Sequence, residues 1–422
     1  MLSLDLLRQH PDLVRKGLQK RQVSVALEEI VRLAEQRDGL ARRCEGLYGS
    51  LKNLREQCRA APVSQRARLE QQITSIGEEI RTLELQIADL ETHLRLSLLP
   101  LPNLPHSDVP TGFLRSANRE LRRWGVPMSF YFPPRSYREL GSELGILDSV
   151  AGSRLSGNQF MVVRGPGARL LRALVTFALD FFTHEWDYRE VQLPLLMKYG
   201  ALLAAGQFPP LETQSYSCQA DELYLNPGGA TSLVNLYSDM LLTAETMPVR
   251  LVTWTPVFHR DGGSASLPPS AARLPWHQLS EVQLLLLVAP NESYTVLQTL
   301  LFQIETLLQR LELAYRVVML CSGQLPFAAA MTLTIEAWLP AQRRFLPLAS
   351  MSNHEGFLTR RANIRYRSPA GQIDYPHSLG ACALSIEQTL ATILEVYQQA
   401  DGSVVVPKVL RPMMGLSLLT SH

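Results

Sequence analysis

The stretch TPVFHRDGGSASLPPS (255–270) is the part of this 422-residue chain whose residue types most suggest phosphate chemistry. A β-prone run ends at Phe258, and His259, Arg260 and Asp261 open a polar, glycine-containing loop. A phosphorus centre under attack gathers negative charge, so such a loop works only if fixed cations face it. Strand alternation puts His259 and Asp261 on one face and sends Arg260 to the other. Histidine, with an unperturbed pKa of ~6.5, is mostly neutral at cytosolic pH and lacks arginine's two-pronged donor geometry. Slipping the register by one residue recovers Arg260 but replaces the acid with Gly262. By itself the loop is a poor phosphate holder. Elsewhere no Ser–His–Asp arrangement and no metal-ligand spacing is readable, so neither a catalytic residue nor a metal site is assigned. The five cysteines (Cys44, Cys58, Cys218, Cys321, Cys382) are scattered without a close pair, as free thiols in a reducing compartment would be.

The elements that must position these residues fall into two kinds. Up to residue 97 the chain reads as helix. Ile30, Leu33, Leu40, Cys44, Leu47, Leu51 and Leu54 follow three- and four-residue steps, as do Leu69, Ile73, Ile76, Ile80, Leu83, Ile87, Leu90 and Leu94. Pro62 and Ser64 interrupt the two series, which predicts an antiparallel coiled-coil hairpin. Lys52, Arg55, Arg59, Arg66 and Arg68 cluster at its turn. Overall, 41 basic residues against 39 acidic ones give no general attraction to polyanions, so an RNA surface has to come from such local clustering. The proline-rich LLPLPNLPHSDVPTG (98–112) reads as the start of a linker. Beyond it, RLVTWTPVF, EVQLLLLV, YRVVML and TLTIEAWLP read as strands and 170–186 as a helix. A final helix is expected over Ala381–Gln399. The class is therefore α+β, with an antiparallel sheet surrounded by helices after a helical hairpin. The N-terminus lacks a signal-peptide core and no apolar run is long enough to span a bilayer, so a cytoplasmic protein without membrane contact is expected.

This arrangement resembles the seryl-tRNA synthetases, of class II, and the resemblance extends over nearly the whole chain. It is carried by GILDSVAGSRLSGNQFMVVRGPGARLLRALVTFALD, by YREVQLPLL (similar to motif 1, with Pro194 at the dimer-interface proline), and by LYLNPGGATSLVNLYSD, VFHRDGG, SNHEGFLTRRANIRYR and ILEVYQQADGSVVVPKVLRPMMG in order. It implies a tRNA-binding arm at 1–97, a linker at 98–125 and a synthetase-like catalytic domain at 126–422. It also implies attack of a serine carboxylate on the α-phosphate of ATP, then transfer of the seryl group to tRNA.

Against that pattern the pocket residues depart. The motif 2 arginine falls on His259 and its acid on Asp261, the motif 3 arginine on Gln388, and the Mg²⁺-holding glutamate on Pro347. The serine-selecting Thr-Ala-Glu becomes Gly228-Gly229-Ala230, a further acid becomes Gln283, and a lysine becomes Met331. Asn353 survives with Ser350 and Ser352, and the motif 2 loop keeps only Arg273. No arginine or acid reads as newly placed to compensate, Gln388 reads as a residue on a helix face, and His277 and His377 read as structural.

The expectation is a protein that binds tRNA, or partners a true synthetase, and has lost serine adenylation. It would be a homodimer, or a heterodimer with a seryl-tRNA synthetase. No cofactor is expected; ATP and Mg²⁺ are required only if ligase activity survives. Three alternatives stand beside it. One is an active serine–tRNA ligase. Another is a small-molecule pocket using His259, Asp261, Gln283 and Asn353. The last is a structural subunit that pairs through the face around Pro194.

Overall fold

Proline has no N–H to donate and crowds the residue before it out of the helical region, so Pro62 has to end the first long helix. In the computed structural model, which describes residues 1–260 and 273–421, it does so. Helix α1 (Leu27–Ala60) stops, Ala61 is extended at ψ 149°, and α2 (Val63–Leu98) begins immediately after the proline. The helices are 34 and 36 residues long, and at 1.5 Å per residue each measures roughly 50 Å. The heptad positions form the seam between them: Cys44, Leu51, Ile80 and Leu83 are buried, with Leu40, Leu47, Ile73, Ile76 and Ile87 packed around them. Arg43–Glu79 (2.5 Å) and Tyr48–Glu84 (2.6 Å) cross the flanks. This hairpin belongs to a unit ending at Leu101, and a second unit begins at Pro102.

The second unit is built on an eight-stranded sheet. In chain order its strands and principal helices are β1 (Arg119–Trp124), α3 (Gly165–Glu185), β2 (Arg189–Glu190), α4 (Gly229–Leu233), β3 (Val249–Phe258), β4 (Gln278–Val288), α5 (Ser293–Arg310), β5 (Tyr315–Met319), β6 (Met331–Leu339), β7 (Arg344–Asn353), β8 (His377–Ser385) and α6 (Ile386–Val396). Across the sheet the order is β1-β5-β6-β7-β8-β4-β3-β2. Every pairing is antiparallel except the short parallel contact of β2 on β3. Helix α3 buries Leu170, Leu174, Phe177 and Phe181, one stripe at helical spacing. Helix α6 is buried on every side from Ile386 to Glu395, its polar residues included.

Residues 381–385 differ from expectation: ACALS is the end of strand β8, not the start of a helix. Its apolar run fits either structure, and the decision is made by its neighbours: β4 pairs with it as far as Ser385, and β7 with Ala381 and Cys382. The irregular segment after Pro102 is tied to the second unit by Asn103, whose amide donates to the carbonyls of Ala328 (3.0 Å) and His354 (2.8 Å). Among the described residues no helix is long and apolar enough to cross a membrane.

Candidate functional site

Strand β4 offers alternate residues to one face, so Glu281 and Gln283 point the same way, opposite Thr255 and Thr253 of β3. Cys382 of β8 is paired with Gln283 and with Ser350 of β7, which extends this face across four strands. The short helix α4 sits on it: the Ala230 backbone N–H donates to Gln283 Oε1 at 2.5 Å. Gln283 in turn donates through Nε2 to the Glu281 carboxylate. The carboxylate faces Arg273, with Nη2 at 3.7 Å from Oε1, and Arg273 Nη1 donates to His259 Nε2 at 2.5 Å.

His259 is fixed by its backbone. Its N–H donates to the His277 carbonyl (2.8 Å), and His277 Nδ1–H returns a bond to the His259 carbonyl (2.8 Å). The His277 ring stacks on Phe160 at 4.9 Å, so its role here is structural. Burial, then the adjacent Arg273 guanidinium, then His277 push the His259 pKa down to about 3. A neutral imidazole accepts the arginine's hydrogen bond and offers no cation to a phosphate.

Gln388 is 4% exposed, not solvated on a helix face. Its amide donates to the Pro347 carbonyl at 2.5 Å and accepts from the Leu274 backbone N–H at 3.2 Å. The two positions at which the sequence resemblance implies a cation and a metal-holding acid are here joined to each other by a neutral hydrogen bond. Next along α6, burial raises the Glu387 carboxyl from 4.5 to about 7, against the Ser280 N–H that donates to it (2.7 Å). A folded-state value above the unfolded one means this group's contribution to stability is full below pH 4.5 and is lost as pH rises to about 7. Glu387→Gln, uncharged throughout, should therefore gain roughly 2–4 kcal/mol over the native chain at alkaline pH. The gain should vanish in acid; urea midpoints at several pH values that run parallel for the two proteins would contradict this.

The structure thus brings His259, Pro347, Gln388, Ala230 and Gln283 to one region. Gly228 lies beside them, its N–H on Asn226 Oδ1 (3.1 Å), and Gly229 begins α4. Asp261 lies outside the described residues. Asn353 is not brought to this face: it is fully buried, donates to Ser293 Oγ of α5 (3.1 Å) and accepts from the Glu355 N–H (2.8 Å). Ser350 and Ser352 alternate with it and point to the pocket side. His377 also bonds Ser293 Oγ (2.8 Å) on the α5 side.

The expectation that nothing new is placed in the pocket fails for Arg273 and Glu281. Glu281 was discoverable, because it shares a face with Gln283 two residues on. Its pairing with Arg273 was not, since it depends on where a loop returns. The Cys382 thiol, half-buried and close to the Glu281 carboxylate, is held well above its ordinary range by desolvation, so it is no thiolate nucleophile.

Two further surfaces were named. Lys52, Arg55, Arg59, Arg66 and Arg68 are all exposed at the turn end of the hairpin. None of the ion pairs found among the described residues uses them, although Arg66 Nε caps the Ala61 carbonyl (2.9 Å). Pro194 is exposed just beyond β2 and next to Leu195 and Leu196, 39% and 41% exposed. A hollow of about 490 Å³ is lined by Tyr188, Arg189, Tyr237, Pro248 and Arg250, none of which belongs to the polar face described above.

Residues 215–397 match the tRNA synthetase class II core domain (G, H, P, S and T). With the antiparallel sheet and its covering helices, this defines the second unit as a class II synthetase fold. Residues 1–105 match the seryl-tRNA synthetase N-terminal domain. The chain is 35% identical to the serine–tRNA ligase of Pseudothermotoga lettingae, over 99% of this chain and 100% of that one. It is 37% identical to that of Syntrophomonas wolfei, over 98% of each. The crystal structure of seryl-tRNA synthetase from Pyrococcus horikoshii complexed with ATP superposes with a TM-score of 0.84 at 27% identity, covering both chains fully. The chain belongs to the seryl-tRNA synthetase family.

Proposed function

We propose that this protein binds tRNA through its helical arm and does not form seryl-adenylate. The observation that carries the second half is the Gln388 amide, which is spent on the Pro347 carbonyl and the Leu274 N–H where a motif 3 arginine and a metal-holding acid are expected. Arg273 and Glu281, the charges that do reach the pocket, neutralise one another. On this reading 1–97 is the arm and 126–422 the synthetase-like domain, while 98–125 leads from one to the other and also supplies β1 to the sheet. Lys52, Arg55, Arg59, Arg66 and Arg68 contact RNA phosphates, and the exposed face around Pro194 pairs two copies of the chain, or this chain with a seryl-tRNA synthetase. The protein works in the cytoplasm and needs no cofactor.

A second reading is favoured by the relatives. They are named serine–tRNA ligases and their identity runs over nearly the whole chain, which supports a serine–tRNA ligase using ATP and Mg²⁺ better than it supports a silent one. Loss of activity therefore rests on the pocket alone. Serine- and Mg²⁺-dependent exchange of pyrophosphate into ATP separates the two readings: none above a blank is expected, and clear turnover would establish the ligase.

A further inference from the structure

The Glu281 carboxylate, 4% exposed, is the most deeply placed charge on the polar face. Taking a carboxylate out of water is costly unless a cation and hydrogen bonds replace the solvent. Gln283 Nε2 and the Cys382 thiol supply neutral contacts, and the cation is Arg273. The second prong of that guanidinium ends on His259 Nε2, an acceptor only because the ring is uncharged. The backbone next to it is held as well, because the Leu274 N–H is bonded to Gln388. A planar guanidinium thus lies between an acid at ion-pair distance and an imidazole to which it donates, a placement that suits its flat shape better than a rounder ammonium.

We propose that Arg273 is an internal ligand: its guanidinium fills a site for a small planar cation made by Glu281, Gln283 and His259, and keeps outside ligands from this face. The inference rests on the reading that the adenylation site is silent, and it adds what occupies that site instead. Arg273→Ala, made in the full-length chain, should leave a buried acid unpaired and lower the melting temperature by about 4 °C or more. Methylguanidinium at low millimolar concentration should restore it saturably. Tetramethylammonium at equal ionic strength should not, and the native chain should respond to neither. R273A/E281Q, with no acid to pair, should lose the restoration. Equal responses of the native chain and R273A, or restoration of R273A by tetramethylammonium as well as by methylguanidinium, overturn the proposal. If R273A does not fold unaided, its yield on refolding from urea gives the same comparison, and no advantage of methylguanidinium over tetramethylammonium counts against it. No ATP or serine enters the measurement, so exchange activity in the native chain would refute the silent-site reading without deciding this result.

Discussion

Pyrophosphate exchange by this chain, with saturating serine and Mg²⁺, is expected to stay at the level of a protein-free blank while the Pseudothermotoga lettingae ligase, run beside it, turns over. Removing a single preorganised donor from a developing oxyanion costs roughly 2.7–4 kcal/mol, or about 10²–10³ in rate. Here two expected arginines and a metal carboxylate are His259, Gln388 and Pro347. The losses do not simply add, but on this reading none of the three positions supplies a cation to the phosphorus. The remaining arginine, Arg273, is paired with Glu281, and freeing it would strand that acid. The control that makes a blank result informative is proof of folding, by a cooperative melt. The triple reversion His259→Arg, Pro347→Glu, Gln388→Arg should raise exchange above the blank, since it restores the missing charges. Turnover by the native chain would mean that the internal bonds of Gln388 and Arg273 open on substrate binding, and the ligase reading would stand.

The second large effect is expected at the arm. Arg55, Arg59, Arg66 and Arg68 are exposed, free of ion pairs with the described acids, and clustered at one end of a stiff hairpin. Each phosphate contact releases counterions, so the logarithm of affinity falls with the logarithm of salt by roughly 0.7–0.9 per contact. Replacing all four by alanine should reduce that slope by about 3 and weaken tRNA binding by roughly 10²-fold at moderate salt. Alanine favours helix and the hairpin seam is untouched, so far-ultraviolet circular dichroism should be unchanged. Binding that is insensitive to these changes would favour a subunit that acts only through the Pro194 face.

Most of the architecture was legible because its signals are local. Heptad spacing and one proline determined the hairpin, since a helix buries the same face every three to four residues and proline cannot continue it. Uninterrupted β-prone runs gave the strands now seen as β3, β4, β5 and β6. The departures that the resemblance implies at His259, Pro347, Gln388 and Gly228-Gly229-Ala230 were also legible, because an uncharged side chain is uncharged in any conformation.

What the sequence left open depends on which strands lie side by side. ACALS became strand because β4 pairs with it as far as Ser385 and β7 with its first two residues. Asn353 turned toward α5 while Ser352 turned toward the pocket, a choice set by sheet register. Gln388 changed from a plausible surface residue to a buried tie because α6 lies in the core. Arg273 and Glu281 met only because a loop return and the mid-strand of β4 converge on one face. Periodicity tells a residue which side of its own element it occupies; which residue of another element stands opposite is decided by tertiary packing alone.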